Sequence, residues 1–255
     1  NRVWQDGGIV YQSAEKADGR LHHRPVWLTA CAMECEKMSI YLRRELNRVE
    51  KNLLELSGLV EEHIVRAVKA FEEHDPRLAE KIRDADAEVD RAEVDLEEEC
   101  LKILALYQPV ANDLRFVVSA LKINNDLERV GDLASTIAKR AVDLSRFSPV
   151  EAPSSLRNMA EAVTTMLRES LDAFVRLDRE KATDICALDQ KVDALEVDVR
   201  EYVKNAIREG NGSADVFLDI FRISRALERV GDHATNIAED VVYLLDGEIV
   251  RHGGH

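Results

Sequence analysis

Apolar residues recur at three- and four-residue steps along most of the chain from Leu42 onward. The first run consists of Leu46, Val49, Leu53, Leu56, Val60, Ala67 and Phe71. This period places apolar side chains on one face of an α-helix. Asp75 and Pro76 then supply an N-cap and a first-turn proline. The pattern predicts a long helix, a tight turn and a second long helix.

Prolines and the helical period divide the rest of the chain. The second predicted helix runs to about Tyr107, and Pro109 separates it from a third helix over about 112–147. Residues 1–37 lack the helical period, and we expect an unstructured tail, or sequence upstream of a native start at Met38. We predict two further parts, 38–148 and 149–246, and a C-terminal tail over 247–255.

An internal repeat organises these helices. The hexapeptide Leu-Glu-Arg-Val-Gly-Asp occupies 127–132 and again 227–232. In each half, the helix before the hexapeptide carries a second pair of acids. Asp86 and Asp90 form this pair in the first half, and Asp189 and Asp193, each 103 positions later, form it in the second. The repeat predicts an all-α protein of six helices, built as two tandem three-helix bundles.

The acids of each half lie at matched distances from a turn. In an antiparallel helical hairpin, residues equally far from the turn lie at the same height. Pro109 is the midpoint in the first half, and Gly210 with Asn211 is the midpoint in the second. We therefore expect two groups of level carboxylates, which are the candidate metal ligands: Asp86, Asp90, Glu128, Asp132, Asp189, Asp193, Glu228 and Asp232. Further oxygen donors near the hexapeptides are Asn125, Asn236 and Glu239.

The helix phase and residue types indicate the chemistry of these groups. At 100° per residue the acids lie opposite the apolar face, which predicts a surface site. Clustered carboxylates without histidine suit hard cations such as Mg²⁺, Mn²⁺ or Fe³⁺. Gly131 and Gly231, between the acids, are explained equally by close helix packing or by room over the carboxylates. No nucleophile or phosphate loop is recognisable, so we expect no catalysis.

The composition limits the partners. The chain has 255 residues, of which 45% are hydrophobic and 33% charged, and its formal net charge is −14. Nucleic acid is an unlikely partner of so acidic a chain, because phosphate contacts need clustered Lys and Arg. The sequence contains no run long enough to span a membrane, and we expect a protein of the reducing cytoplasm.

Four strings resemble the PhoU family of phosphate-transport regulators. They are the residues around Val60, residues 108–115, the segment that ends at Asp132 and the segment that ends at Glu239. The resemblance implies two PhoU repeats with multinuclear metal clusters on the eight acids. It implies iron as the metal, with magnesium, manganese or zinc as alternatives. The implied partners are the ATPase of the phosphate ABC transporter and a phosphate-sensing histidine kinase, both restrained when phosphate is plentiful. A homodimer that reaches the membrane only through these partners is expected.

One departure from the family pattern and two alternatives stay open. The first repeat has Thr136 and Lys139 where the second has Asn236 and Glu239, so we expect the first site to be occupied less fully. A helical scaffold with merely solvated acids would hold no stoichiometric metal. A carboxylate-bridged metalloenzyme would need a buried site.

Overall fold

Six long helices form almost all of the chain that the structure describes. It is a computed structural model that describes residues 4–5, 8–9, 26–147 and 150–247, with side chains from Met38 onward. The helices are α1 Val26–Glu72, α2 Pro76–Tyr107, α3 Ala111–Leu144, α4 Ser154–Arg176, α5 Arg179–Glu209 and α6 Ala214–Asp246. Near the N-terminus, β1 Trp4–Gln5 pairs with β2 Gly8–Ile9 in antiparallel register. The sequence prediction of six helices is confirmed.

The first helix begins earlier than the sequence pattern predicted. Residues 26–37 continue α1 as helix, although they belong to the predicted tail. They contain neither Gly nor Pro, so nothing in the backbone stops the helix even though their apolar period is weak. The contacts of the chain divide it into two units between Ile40 and Tyr41. Apart from the two short strands and residues 26–37, the predicted N-terminal tail lies outside the described residues, as do residues 248–255.

The helix ends follow from the residues that flank them. Asp75 caps α2, since its Oδ1 accepts hydrogen bonds from the backbone N–H groups of Arg77 at 2.9 Å and Leu78 at 3.1 Å. Asp178 caps α5 in the same way. Gly210 ends α5 at φ +70°, a left-handed conformation that glycine adopts without strain. The turns therefore lie where the acid spacing required them.

The two repeats meet through α3 and α6, which run antiparallel. Lys122 Nζ lies 2.6 Å from Asp240 Oδ1 near one end of this contact. Arg140 Nη1 lies 3.4 Å from Asp219 Oδ1 towards the other. Between them, the buried Asp126 accepts a 2.8 Å hydrogen bond from His233. These pairs fix a register that brings the two hexapeptides alongside one another.

The two hexapeptide glycines differ in how tightly they pack. A Cβ built on Gly131 would lie 3.0 Å from Val89 Cγ1, whereas one on Gly231 would lie no closer than 3.6 Å to any neighbour. Val89 is buried and β-branched, so it cannot easily move aside. Close packing therefore explains Gly131. Gly231 has Asp189 Oδ1 among its neighbours, so its missing side chain does leave space beside an acid.

This difference predicts opposite effects of alanine at the two glycines. Gly231→Ala should stabilise the protein by up to about 1 kcal/mol, because alanine favours helix over glycine. Gly131→Ala adds an overpacking cost of about 1–3 kcal/mol that should cancel or exceed this gain. The free energies of unfolding in urea measure both variants against the wild type. Equal effects of the two substitutions would show that Val89 does not constrain the α2–α3 contact.

Candidate metal centre

Each helical hairpin brings together the four acids that its sequence predicted. The first acid cluster comprises Asp86 and Asp90 on α2 with Glu128 and Asp132 on α3. The second acid cluster comprises Asp189 and Asp193 on α5 with Glu228 and Asp232 on α6. Within each cluster, carboxylates from the two helices act on one another's pKa, as described below. Carboxylates of the two facing helices are therefore close enough to interact electrostatically in both halves.

Burial and like charge shift the acids of the first cluster. Burial is the main cause that raises the pKa of Asp86, and Asp90 and Asp132 raise it further. The nearby Ser135 hydroxyl opposes this shift. The pKa of Glu128 is raised first by burial and then by Asp132. Charge on these groups is costly, so the cluster favours a proton or a cation.

The second cluster has the same electrostatic character. Burial raises the pKa of Asp189, and the carboxylates of Asp193 and Asp232 add to the shift. Burial likewise raises the pKa of Asp232, followed by Asp193. For Glu228 the order is burial and then Asp232, while Arg225 lowers its pKa. Repeated like-charge proximity on two separate hairpins is more than a solvated helix face requires.

The acids of the predicted surface site differ in exposure. One acid of each i,i+4 pair is exposed, namely Asp90, Asp132, Asp193 and Asp232. The other four, Asp86, Glu128, Asp189 and Glu228, are half-buried because the opposing helix of the hairpin covers them. The Glu228 Oε2 atom is buried without a hydrogen-bond partner. A buried carboxylate oxygen without a partner leaves coordination capacity for a ligand.

Arginine side chains partly neutralise both clusters. Arg129 Nε lies 3.2 Å from Glu128 Oε2, and its Nη1 lies 3.7 Å from Asp132 Oδ2. In the second half, Arg225 Nη1 donates a 2.9 Å hydrogen bond to Glu228 Oε1. Both arginines are largely exposed and can swing into solvent. A bound cation would compete with them for the same oxygens.

Sequence reasoning missed two acids that lie beside the clusters. The pKa of Glu93 is raised by burial first, then by Glu97 and Glu128. Glu196, its counterpart, is 5% exposed and lies 3.9 Å from Arg225 Nη1. Both follow the 103-residue recurrence that identified the other acids, so the signal was present in the sequence.

The three further oxygen donors lie elsewhere. Asn125, Asn236 and Glu239 line a separate pocket of about 530 Å³ between α3 and α6. The Asn236 amide donates to Asp126 Oδ1 at 3.3 Å rather than extending the second cluster. Their role as ligands therefore stays a prediction.

His63 on α1 is buried beside the first cluster. Its side chain is almost fully buried, and its Nδ1 atom has no hydrogen-bond partner. Burial lowers its pKa, and the Asp86 carboxylate opposes that shift. It is a core histidine on the buried face of α1.

The donor set fits a hard cation, but the side chains are not preassembled around one. Among the described residues, no three His, Cys, Asp or Glu groups converge closely enough to hold an ion. A cation would have to draw in the exposed acid of each pair, which rotation about the side chain allows. Carboxylate oxygens are the ligands that Mg²⁺, Mn²⁺ and Fe³⁺ prefer. The described helices also include none with the length and hydropathy of a membrane span.

Comparison with known proteins agrees with the duplicated architecture. A PhoU domain model matches residues 53–141 and 156–241, one match for each repeat. The chain belongs to the PhoU family. It is 40% identical to the phosphate-specific transport system accessory protein PhoU homolog of Pseudomonas putida, over 82% of each chain. It is 34% identical to PhoU homolog 1 of Thermotoga maritima, over 83% of this chain and 92% of that protein.

Solved PhoU structures share the fold. The crystal structure of PhoU from Pseudomonas aeruginosa gives a TM-score of 0.77 at 38% identity, covering 81% of this chain and 99% of that one. The phosphate transport system regulatory protein PhoU from Streptococcus pneumoniae gives 0.78 at 31% identity, covering 83% of this chain and all of that one. The PhoU resemblance of the sequence is therefore confirmed.

The raised pKa values predict how stability of the metal-free protein depends on pH. The pKa of Asp86 is higher in the folded chain than in the unfolded one, where it lies near about 4. Its contribution to stability is therefore full below that value and is lost as pH rises through the folded pKa. Asp86→Asn removes the costly charge, so the variant should be more stable than wild type at about pH 7.5 and lose this advantage near about pH 4.

Thermal unfolding of chelator-treated protein across this range measures the effect. Asp184→Asn, an exposed change on α5 outside both clusters, is the matched control. A pH-independent loss of stability in Asp86→Asn would show that the carboxylate acts as a structural hydrogen-bond acceptor instead.

Proposed function

We propose that this protein is a non-catalytic, metal-binding accessory protein that restrains phosphate uptake and phosphate-starvation signalling. The observation that carries the proposal is the duplicated cluster of four carboxylates, placed by matched helical hairpins in a PhoU-family chain. The close relatives are named accessory proteins of phosphate-specific transport systems. The proposed partners are the ATPase of the phosphate ABC transporter and a phosphate-sensing histidine kinase, met at the cytoplasmic face of the membrane.

The electrostatics of the clusters favour cations as their ligands. Each cluster holds like charges close enough to raise the pKa of its half-buried members. A divalent or trivalent ion would remove that repulsion and occupy oxygens that water reaches poorly. Iron is the proposed metal, with magnesium, manganese or zinc as alternatives. Asp86, Asp90, Glu128 and Asp132 would hold one group of ions, and Asp189, Asp193, Glu228 and Asp232 the other.

The exposure of the clusters favours recognition over turnover. The outer acids Asp132 and Asp232 lie on open helix faces. Catalysis benefits from a site that excludes water around the reacting groups. An exposed metal-bearing face instead offers charge and geometry to a partner protein. This supports a regulator and argues against a metalloenzyme.

Paired substitutions test the metal and the regulation together. Glu128→Gln with Asp132→Asn should remove the metal held by the first cluster and weaken metal affinity there by at least about tenfold, because two charged ligands are lost. In cells that depend on this protein, the same variant should release phosphate uptake from restraint. Elemental analysis of dialysed protein and the rate of phosphate uptake are the measurements.

The chain offers a matched control at the same spacing. Glu180 and Asp184 are both exposed, one turn apart on α5 and outside the clusters. Glu180→Gln with Asp184→Asn makes the same chemical change and should retain both metal and restraint. Wild-type protein without stoichiometric metal after dialysis would favour a helical scaffold with solvated acids. Metal loss without any change in uptake would separate metal binding from regulation.

A further inference from the structure

A basic pocket lies beside the first acid cluster. It has a volume of about 520 Å³ and is formed by residues of α2, α3 and α6. Four of its lining residues are cations, and the others are one carboxylate, two hydroxyls and a leucine: Arg83, Arg129, Lys139, Arg229, Asp132, Ser135, Thr136 and Leu133. Four converging cations are unexpected in a chain of net charge −14, because most of its surface is acidic.

Three of these cations lie outside the salt bridges that the described residues form. Within the described part of the chain, Arg83, Lys139 and Arg229 form no salt bridge. The fourth, Arg129, is committed to Glu128 and Asp132. The Asp132 carboxylate lines the pocket and Arg229 lowers the pKa of Asp232, but the four cations outnumber these two carboxylates, and an anion relieves the repulsion that remains. The three cations outside salt bridges therefore carry the binding capacity of this pocket.

The second repeat does not carry the same cations at the equivalent positions. By the repeat spacing, Cys186 stands in place of Arg83 and Glu239 in place of Lys139. These two replacements also lie near one another, since the pKa of the Cys186 thiol is raised by burial and then by the Glu239 carboxylate. The first repeat thus has two cations where the second has a thiol and an acid. Arg229 joins the pocket from the second repeat, so the site needs both repeats.

We propose that this basic pocket binds a phosphate-class oxyanion. Arginine guanidinium groups match the geometry of tetrahedral oxyanions through paired N–H donors, and Arg83 and Arg229 supply two such groups. Lys139 adds a third positive charge, and the exposed Thr136 adds a hydroxyl donor. The pocket binds the anion through these side chains and does not depend on metal at the acid clusters.

An anion pocket gives a role to Lys139, at which the first repeat departs from the family pattern. Lys139 and Arg140 follow one another, yet they act in different places. Arg140 Nη1 lies 3.1 Å from Asp143 and 3.4 Å from Asp219, within the contact between the repeats. Lys139 remains on the exposed face that lines the pocket. Lys139 therefore contributes to an anion site beside the first acid cluster and does not complete a set of metal ligands there.

Phosphate titration of repeat-exchange variants tests the pocket. Arg83→Cys with Lys139→Glu installs the residues of the second repeat and should weaken binding of inorganic phosphate by at least about tenfold, since it removes two charge-assisted contacts. Lys139→Arg keeps the charge and should bind phosphate like wild type. Calorimetry on the full chain, both as purified and after chelator treatment and dialysis, measures the affinities.

The control and the other arms separate the outcomes. Arg208→Cys with Lys191→Glu makes the same charge change at exposed positions of α5 outside the pocket and should leave phosphate affinity unchanged. Circular dichroism confirms that each variant folds. Preference for inorganic phosphate over phosphoserine identifies free phosphate as the ligand, and the reverse identifies a phosphate monoester. Absence of saturable binding at millimolar concentrations of either would overturn the proposal. Phosphate binding that requires bound metal and is unchanged by substitution of Arg83 and Lys139 would also overturn it. Absence of metal from the protein would by itself contradict only the proposed function.

Discussion

The half-buried carboxylates of the two hairpins are held at an electrostatic cost, first from burial and then from neighbouring like charge. Acids of the two facing helices come close in each hairpin because the turns at Pro109 and Gly210 stand midway between them. Burial and neighbouring charge raise the pKa of Asp86 and Glu228, so the charged forms are held at a cost. A folded chain keeps such groups when something else binds them. The hairpins therefore supply the carboxylates on which the proposed cation binding rests.

The α3–α6 contact connects the two helices that carry the hexapeptide acids of the two clusters. Antiparallel packing brings the hexapeptides side by side, and the pocket that contains Arg129 and Arg229 lies at that junction. Arg129 links the two kinds of site, because its guanidinium already pairs with two acids of the first cluster. A cation on Glu128 would weaken that pairing and leave Arg129 freer to face an anion.

The sequence predicted the elements that depend on local rules and the repeat. Helix period, the Asp75 cap and the turn midpoints gave the six helices and the grouping of the acids, because these follow from residues close in the chain. It did not predict where α1 begins, since residues 26–37 are helical without a clear apolar period. Nor could the sequence show that Gly131 is packed more tightly than Gly231, or that Arg83 and Arg229 line the same pocket. Those relations depend on side chains that meet across helices distant in sequence.

Anomalous scattering from crystals grown with manganese tests the central claim most directly. Peaks between α2 and α3 at the first cluster, and between α5 and α6 at the second, are the expected result, with carboxylate oxygens at about 2.0–2.3 Å from each ion. The half-buried Glu228 should turn its unpartnered oxygen onto an ion. Empty clusters at saturating manganese, or peaks confined to the Asn125, Asn236 and Glu239 pocket, would contradict cation binding by the duplicated hairpins.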